Sequence, residues 1–162
     1  MVDAPALHWQ FSRFEALSLH DLYDSLQLRC RVFILEQGPY LDPDGWDRHS
    51  AHLLGRASAE PGAAMLAYLR IVDPGVRYAE PSIGRVITAP EVRGSGLGRR
   101  LMLEGIWRCR QTWPGQGSRI SAQAHLTPFY ASLGFVAQGA VYLEDNIPHQ
   151  EMLLPAELSH GA

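Results

Sequence analysis

No lysine occurs anywhere in this chain of 162 residues, so all 14 residues counted as Lys plus Arg are arginine. The P-loop pattern G-x-x-x-x-G-K-[ST], which ends on a phosphate-binding lysine, is therefore excluded at once. Cysteine is scarce. Cys30 and Cys109 are the two present, each beside an arginine in a segment that reads as helical. Without a C-x-x-C pair or an even set of spaced cysteines there is no zinc or redox motif and no secreted-type disulfide framework, and both thiols read as reduced and structural. No run approaches the ~18 consecutive apolar residues that a membrane span needs. The start, Met1-Val2-Asp3-Ala4-Pro5, lacks the basic residues and apolar run of a signal peptide. The expected location is the cytoplasm, with no membrane partner. A net charge of −3 and a pI near 6.1 argue against a nucleic-acid partner, which calls for basic surface. Repeats and low-complexity segments are absent too.

What is present is ordinary globular material: 46% hydrophobic and 19% charged residues, enough chain for one domain over residues 1–162 with a real core. Leu7 to Arg13 reads as a strand. Ser18 and Asp21 form a capping box, opening a helix whose apolar face is expected to be Leu19, Leu22, Tyr23, Leu26, Cys30 and Phe33. The breaker-rich stretch Gly38 to Gly45 reads as loop. Leu53–Ala57 and Met65–Val72 read as a hairpin around Pro61-Gly62. Ile83 to Thr88 follows as a strand whose internal Gly84 marks a bulge or close approach. A helix then carries Leu101, Met102, Gly105, Ile106, Cys109 and Trp113 on one stripe and stops at Pro114-Gly115. Ile120–Ala124 reads as a central strand. Thr127 and Pro128 read as the N-cap and first turn of a short helix over Phe129 to Leu133, ended by Gly134. Phe135–Gln138, Val141–Leu143 and Gln150–Leu154 read as three closing strands. Strands followed by interleaved helices and strands imply a mixed α/β (α+β) fold around one sheet.

The informative unit is a strand, then Arg93-Gly94-Ser95-Gly96-Leu97-Gly98, then a helix with Arg99 and Arg100 in its first turn. A helix start offers unpaired N–H groups and partial positive charge to an anion, and glycines let the backbone approach it. The dinucleotide pattern G-x-G-x-x-G fails, because the third glycine would fall at Arg99. What remains is R-x-x-G-x-G.

That pattern resembles the pyrophosphate loop, Q/R-x-x-G-x-G/A, of the GNAT acetyltransferase superfamily. Phe129-Tyr130-Ala131-Ser132-Leu133-Gly134-Phe135 resembles the second signature of that superfamily, and Val86-Ile87-Thr88 leads into the loop with the matching spacing. The likeness extends to the ElaA-like branch through Leu26 to Phe33, Glu36-Gln37, Tyr40, Asp42, Asp44-Gly45, His52, Ala122 to Leu126 and Ile147-Pro148-His149, nearly the whole chain. It implies a central mixed, mostly antiparallel twisted sheet flanked by helices, and acetyl-CoA as cosubstrate. It places the pantetheine arm on the backbone of Val86, Ile87 and Thr88 and on Gln123, and the pyrophosphate on Arg93 and the N–H groups from Gly94 through Ser95, Gly96, Leu97 and Gly98 to Arg99. Thr88 and Gln123 depart from the usual valine and asparagine of the family, which puts those two contacts in question. A homodimer is one state the resemblance allows, and it leaves the amine acceptor open.

Acetyl transfer from a thioester to an amine needs a proton donor for the departing thiolate and a proton acceptor for the amine. By resemblance the donor is Tyr130. An alkylamine with pKa about 10.4 is neutral to only about one part in a thousand near pH 7.4, so a base is expected. Glu36 and His149 are the candidates favoured, with Glu144 behind them; His125 is read as orienting the chain after its strand. Asp42, Asp44 and Asp47 with His49 and His52 do not fit an EF-hand, because no glutamate stands twelfth from Asp42. They are read as a solvated acidic loop beside the acceptor site, and no metal is expected. Ser95 is not a G-x-S-x-G nucleophile, since Arg93 stands at the first glycine. The leading expectation is an N-acetyltransferase; the alternative is a noncatalytic acyl-CoA-binding module on the same fold.

Overall fold

The protein is described by a computed structural model over residues 4–157; the reading of Met1-Val2-Asp3 lies outside these residues. Seven strands form: β1 (His8–Arg13), β2 (Ser50–Arg56), β3 (Met65–Val72), β4 (Ser82–Thr88), β5 (Ser118–Gln123), β6 (Val136–Glu144) and β7 (Ile147–Leu154). They form one sheet in the order β1-β2-β3-β4-β5-β7-β6. All neighbours are antiparallel except β4 and β5. These run parallel and register only at Ser82 opposite Arg119. The mixed, mostly antiparallel sheet expected from the sequence is present. Helices α1 (Leu19–Arg29), α2 (Leu97–Thr112) and α3 (Thr127–Ala131) complete the fold.

The two faces of the sheet make two cores. Leu53, Leu69, Ile71 and Ile83 pack with Leu97, Leu101, Met102 and Ile106 of α2. Leu54, Tyr68 and Ile87 pack with Leu28 and Val32 of the α1 side. Ile83 and Ile87 are four residues apart in one strand and by simple alternation belong on one face. They lie on opposite faces because β4 is bulged: Tyr68 pairs with Ile87 and Arg70 with Gly84, so Arg85 and Val86 together stand opposite Leu69. The extra residue reverses the parity of everything beyond it. The left-handed residue of this bulge is Arg85 (φ +52°), not Gly84.

The capping box at Ser18 and Asp21 is formed in both directions, at 3.0 and 3.2 Å. The expected apolar face of α1 is not the buried one. Leu19 and Tyr23 are 85% and 68% exposed, Cys30 is exposed, and the inward stripe is Ser25, Leu28, Arg29 and Val32. That stripe has proper i, i+3, i+4, i+7 spacing, but one of its members is an arginine whose partners lie elsewhere in the chain. Beyond Arg29 the helix widens into a π-helical turn, Cys30–Ile34, closed by Leu35 N–H donating to the Cys30 carbonyl.

Helix α2 buries the stripe that its spacing requires. Gly105 is where it crosses the sheet. A Cβ there would sit 2.6 Å from Cδ2 of the fully buried Leu69, so the close approach depends on glycine. Several boundaries differ from the sequence reading: β2 is Ser50–Arg56 rather than Leu53–Ala57, and β7 begins at Ile147 rather than Gln150. Thr127 is inside α3 rather than its cap, and its hydroxyl donates to the Ala124 carbonyl; Leu126 is the N-cap. The central strand stops at Gln123, and Ala124–Leu126 is a 3-10 turn. The two expected strands Phe135–Gln138 and Val141–Leu143 are one strand, β6, with a register shift between Gln138 and Tyr142 beside Gly139 at φ +68°.

Candidate active site

Because β4 and β5 meet only at Ser82 and Arg119, they diverge beyond that point. The cleft that opens there has a volume of about 610 Å³. Its walls bring together Val86, Ile87 and Thr88 of β4, Gln123 of β5, Tyr130 of α3, His149 of β7, and Glu36, Arg93 and Gly98. Of the candidates singled out in the sequence, Gly94, Ser95, Gly96, Leu97 and Arg99 do not line it. Leu97 points into the core, and Arg99 donates to the Ser132 hydroxyl at 2.9 Å.

At one end of the cleft the glycine run turns into α2. Gly94 and Gly96 have φ +77° and +83°, and Gly96 is the N-cap; L side chains rarely adopt such values. A Cβ built at Gly94, Gly96 or Gly98 would meet nothing within 4 Å. Open space therefore lies above the first turn of a 16-residue helix, whose N–H groups have no intrahelical acceptor. Arg93 flanks this opening. That surface fits a pyrophosphate, and the diverging strand edges beside it fit the amide-bearing arm of coenzyme A.

Tyr130 is 7% exposed, wedged edge-on between Phe129 and Phe135 at ring distances of 5.1 and 6.0 Å. Burial pushes its phenol up to about 12. Among the described residues its hydroxyl has no hydrogen-bond partner, yet it is not among the enclosed atoms, which leaves it facing the cleft. It is a proton donor that stays protonated across the physiological range.

Two polar bridges cross the mouth of the cleft. Arg93 donates to Glu36 at 2.9 Å, and Gln123 donates to Gln37 at 3.0 Å. On the far wall His149 is half-buried. Its Nδ1 lies 2.7 Å from the Ile147 carbonyl and its ring stacks on Tyr142 at 6.2 Å and 30°. His125 is exposed on the 3-10 turn after β5, and Glu144 accepts from Ser121 at 2.7 Å.

The solvated acidic loop expected at Asp42 to Asp47 is a correction. Asp42 and Asp47 are buried, and each aspartate meets guanidinium groups. Arg29 donates to Asp42 at 2.7 Å and to Asp47 at 2.8 Å, Arg70 to Asp44 at 2.7 Å and to Asp47 at 2.9 Å, and Arg85 to Asp42 at 2.7 Å. Three arginines offset three aspartates, so the loop carries no free negative field toward an acceptor. Burial alone would raise the Asp44 and Asp47 carboxyls; the Arg29, Arg70 and Arg85 guanidiniums outweigh it and hold both below the usual carboxylate range. Among the described residues no cluster of three or more His, Cys, Asp and Glu side chains is placed to hold a metal ion.

His52 sits beneath this network, fully buried. Its Nε2 is 2.9 Å from the Asp47 carbonyl, which can only accept, so Nε2 carries the proton and Nδ1 accepts from the Tyr68 hydroxyl at 2.8 Å. Burial lowers its pKa below the ordinary imidazole value. The unfolded chain therefore binds a proton near pH 6.5 that the folded protein refuses until lower pH, and stability is lost as pH falls through that interval. Thermal midpoints measured from pH 7 to pH 5 should decline in the wild type and slope less in His52→Gln.

Sequence reasoning missed Arg85, Ser121 and Tyr142, and Tyr40 entered only through the family resemblance. Arg85 stacks on Tyr40 and Phe33, both at 5.7 Å, and shapes the cleft wall below the bulge. The signal for it was the bulge-marking Gly84 one residue earlier. Ser121 and Tyr142 had no signal, because their connection runs across strands 21 residues apart.

Comparison with known proteins bears on the fold that carries this cleft. Residues 57–155 match the acetyltransferase (GNAT) domain family. Protein ElaA of Escherichia coli is 40% identical over 146 residues, covering 88% of this chain and 93% of its own. A UPF0039 protein of Synechocystis is 41% identical over 148 residues, covering 91% and 94%. The crystal structure of an acyl-CoA N-acyltransferase from Pseudomonas aeruginosa is similar with a TM-score of 0.84 and 40% identity, across 91% of this chain and 99% of that one.

Proposed function

The chain belongs to the GNAT acetyltransferase family, in its ElaA-like branch, and on that premise we propose that it is a cytoplasmic N-acetyltransferase. It moves an acetyl group from acetyl-CoA to an amine of a small molecule, peptide or protein by direct attack in a ternary complex. Acyl-CoA is the donor of the family and amines are its acceptors; acetyl as the group and one domain over residues 1–162 are part of this reading. The observation that carries it is the cleft itself. An anion-receptive helix start, an unpartnered phenol and an imidazole converge on one space between diverging strands.

In this reading the thioester supplies an acyl carbon already activated toward nitrogen. The N–H groups from Gly94 to Arg99 and the Arg93 side chain hold the pyrophosphate. The backbone of Val86, Ile87 and Thr88 and the Gln123 side chain orient the pantetheine arm. Tyr130 protonates the departing sulfur, and Glu36 and His149 stand on the acceptor side. A homodimer accords with the same family.

The test is a panel of amines with acetyl-CoA, following release of free thiol. Amine-dependent release supports the transferase; acetyl-CoA binding without release by any amine favours a noncatalytic acyl-CoA-binding module. Gly96→Glu should raise the acetyl-CoA Kd at least about tenfold, ~1.4 kcal/mol, since it forces a side chain onto φ +83° and sets a carboxylate where an anion binds. An unchanged Kd would remove the pyrophosphate from this loop.

A further inference from the structure

Cross-strand registry places a second group of polar residues on the cleft face of the C-terminal strands. His149 pairs with Gln123 on one side and Tyr142 on the other, and Ser121 and Glu144 lie two residues along from those partners, on the same face. Ser121 donates its single hydroxyl proton to Glu144 at 2.7 Å. The Tyr142 hydroxyl, in short contact with the same serine oxygen, must then be the donor in that bond. A directed chain results: Tyr142 to Ser121 to Glu144, whose carboxylate is also held by Arg77 at 3.2 Å. The chain fixes the ring on which His149 stacks. Because the Ile147 carbonyl can only accept, the His149 proton sits on Nδ1, and Nε2 carries a bare lone pair in the cleft wall with no partner among the described residues.

We propose that His149 Nε2 is the base that deprotonates the acceptor amine, and that Tyr142, Ser121 and Glu144 are the residues that position it. This rests on the transferase reading above. Nε2 takes one proton from the ammonium and later passes it to solvent. The freed nitrogen lone pair forms the C–N bond as the C–S bond breaks, and the sulfur takes the Tyr130 proton. The second proton shed by the nitrogen returns to the Tyr130 oxygen, so one proton is released per turnover.

Other groups near His149 are less suited. Glu36 is bound to Arg93, and Glu144 is occupied by Ser121 and Arg77. Asp145 is exposed at the β6–β7 turn and His125 is exposed beyond β5. Tyr130 and Tyr40 are phenols pushed to about 12, in both cases mainly by burial. Arg85 and Arg93 keep their charge and have no lone pair to offer.

The experiment pairs kinetics with nitrogen-15 spectra of the full chain. In the resting protein at pH 8, His149 should show a protonated Nδ1 and a bare Nε2, assigned by its loss in His149→Gln. With an amine that the wild type acetylates, His149→Gln should lose about 10²- to 10⁴-fold in kcat/KM for the amine. It should also lose the acidic limb of the pH profile, with acetyl-CoA affinity unchanged. Tyr142→Leu should lower kcat about tenfold and displace that limb, and Tyr142→Phe, which keeps the stacked ring but loses its bond to Ser121, should recover only part of the loss. A protonated Nε2, or an active His149→Gln that keeps the limb, overturns the proposal alone. A wild type that acetylates no amine overturns the transferase reading and this proposal with it.

Discussion

Tyr130→Phe should lower kcat by about 10²- to 10⁴-fold, the usual contribution of a positioned acid, while leaving acetyl-CoA affinity and folding nearly unchanged. The separation follows from how the side chain is held. Its ring is fixed by Phe129 and Phe135, contacts that phenylalanine keeps. Its hydroxyl makes no hydrogen bond among the described residues, so removing it strands no buried partner, and the stability change should stay within ~1 kcal/mol. With its pKa pushed to about 12, the phenol gives a proton to a thiolate in water only uphill. The transfer would become feasible if the sulfur leaves beside this buried phenol, because a poorly solvated thiolate is disfavoured as well. Wild-type rates should therefore show no alkaline fall caused by Tyr130 until pH nears about 12. Single-turnover rates and equilibrium binding, measured side by side, check both halves. Full turnover by Tyr130→Phe would remove the residue from the chemistry.

Asp47→Asn should destabilise the protein by about 1–3 kcal/mol, because each buried guanidinium loses one of its two carboxylate partners while Arg29 keeps Asp42 and Arg70 keeps Asp44. Asp47 accepts from both Arg29 and Arg70, whose side chains are 0% and 2% exposed, so neither guanidinium can turn to water. Arg70 Nε is already unpartnered and buried. At roughly 2–4 °C per kcal/mol for a chain of this size, the thermal midpoint should fall by about 2–12 °C. Adding Arg29→Met should recover part of the loss, and a double-mutant cycle measures how much. Asp44 and Asp47 have folded pKa values below their unfolded ones. Their contribution is complete above about pH 3.8 and is lost as pH falls through the lowered values. In Asp47→Asn the acid limb should be shallower. Unchanged denaturation midpoints would mean that the loop from Asp42 to Asp47 is held by packing alone.

The sequence made legible what is local. Gly94 and Gly96 announced a turn into a helix, Ser18 and Asp21 announced a cap, and the apolar run from Met65 to Val72 marked β3 to the residue. Tyr130 was found through a short pattern that stays contiguous in the fold. What failed was non-local. Asp42, Asp44 and Asp47 read as solvated because their arginine partners stand 13 to 43 residues away. Arg29 was left off the expected apolar face of α1 for the same reason, and that face fell on Leu19 and Tyr23 instead. At β4 the parity reversal depends on one left-handed residue, Arg85, held there by pairing with Asp42 and stacking on Tyr40. Read in isolation, the strand marked a bulge at Gly84 but not that Arg85 would be its left-handed residue. Glu36 was singled out, but its tie to Arg93, 57 residues on, was not visible.

The meeting of β4 and β5 at Ser82 and Arg119 alone has a consequence for how the sheet breathes. The middle strands of a sheet normally hold the slowest-exchanging amides, because freeing them requires global unfolding. Here the strands on either side of the cleft lack a neighbour along most of their facing edges. In deuterium the amides of these two central strands that face the cleft should trade their protons early, while those of β2 and β3, with ladders on both sides, should trade late. The protein is thus two well-laced leaves joined at one stitch, and the seam between them lies where an extended, amide-bearing guest can complete the lacing.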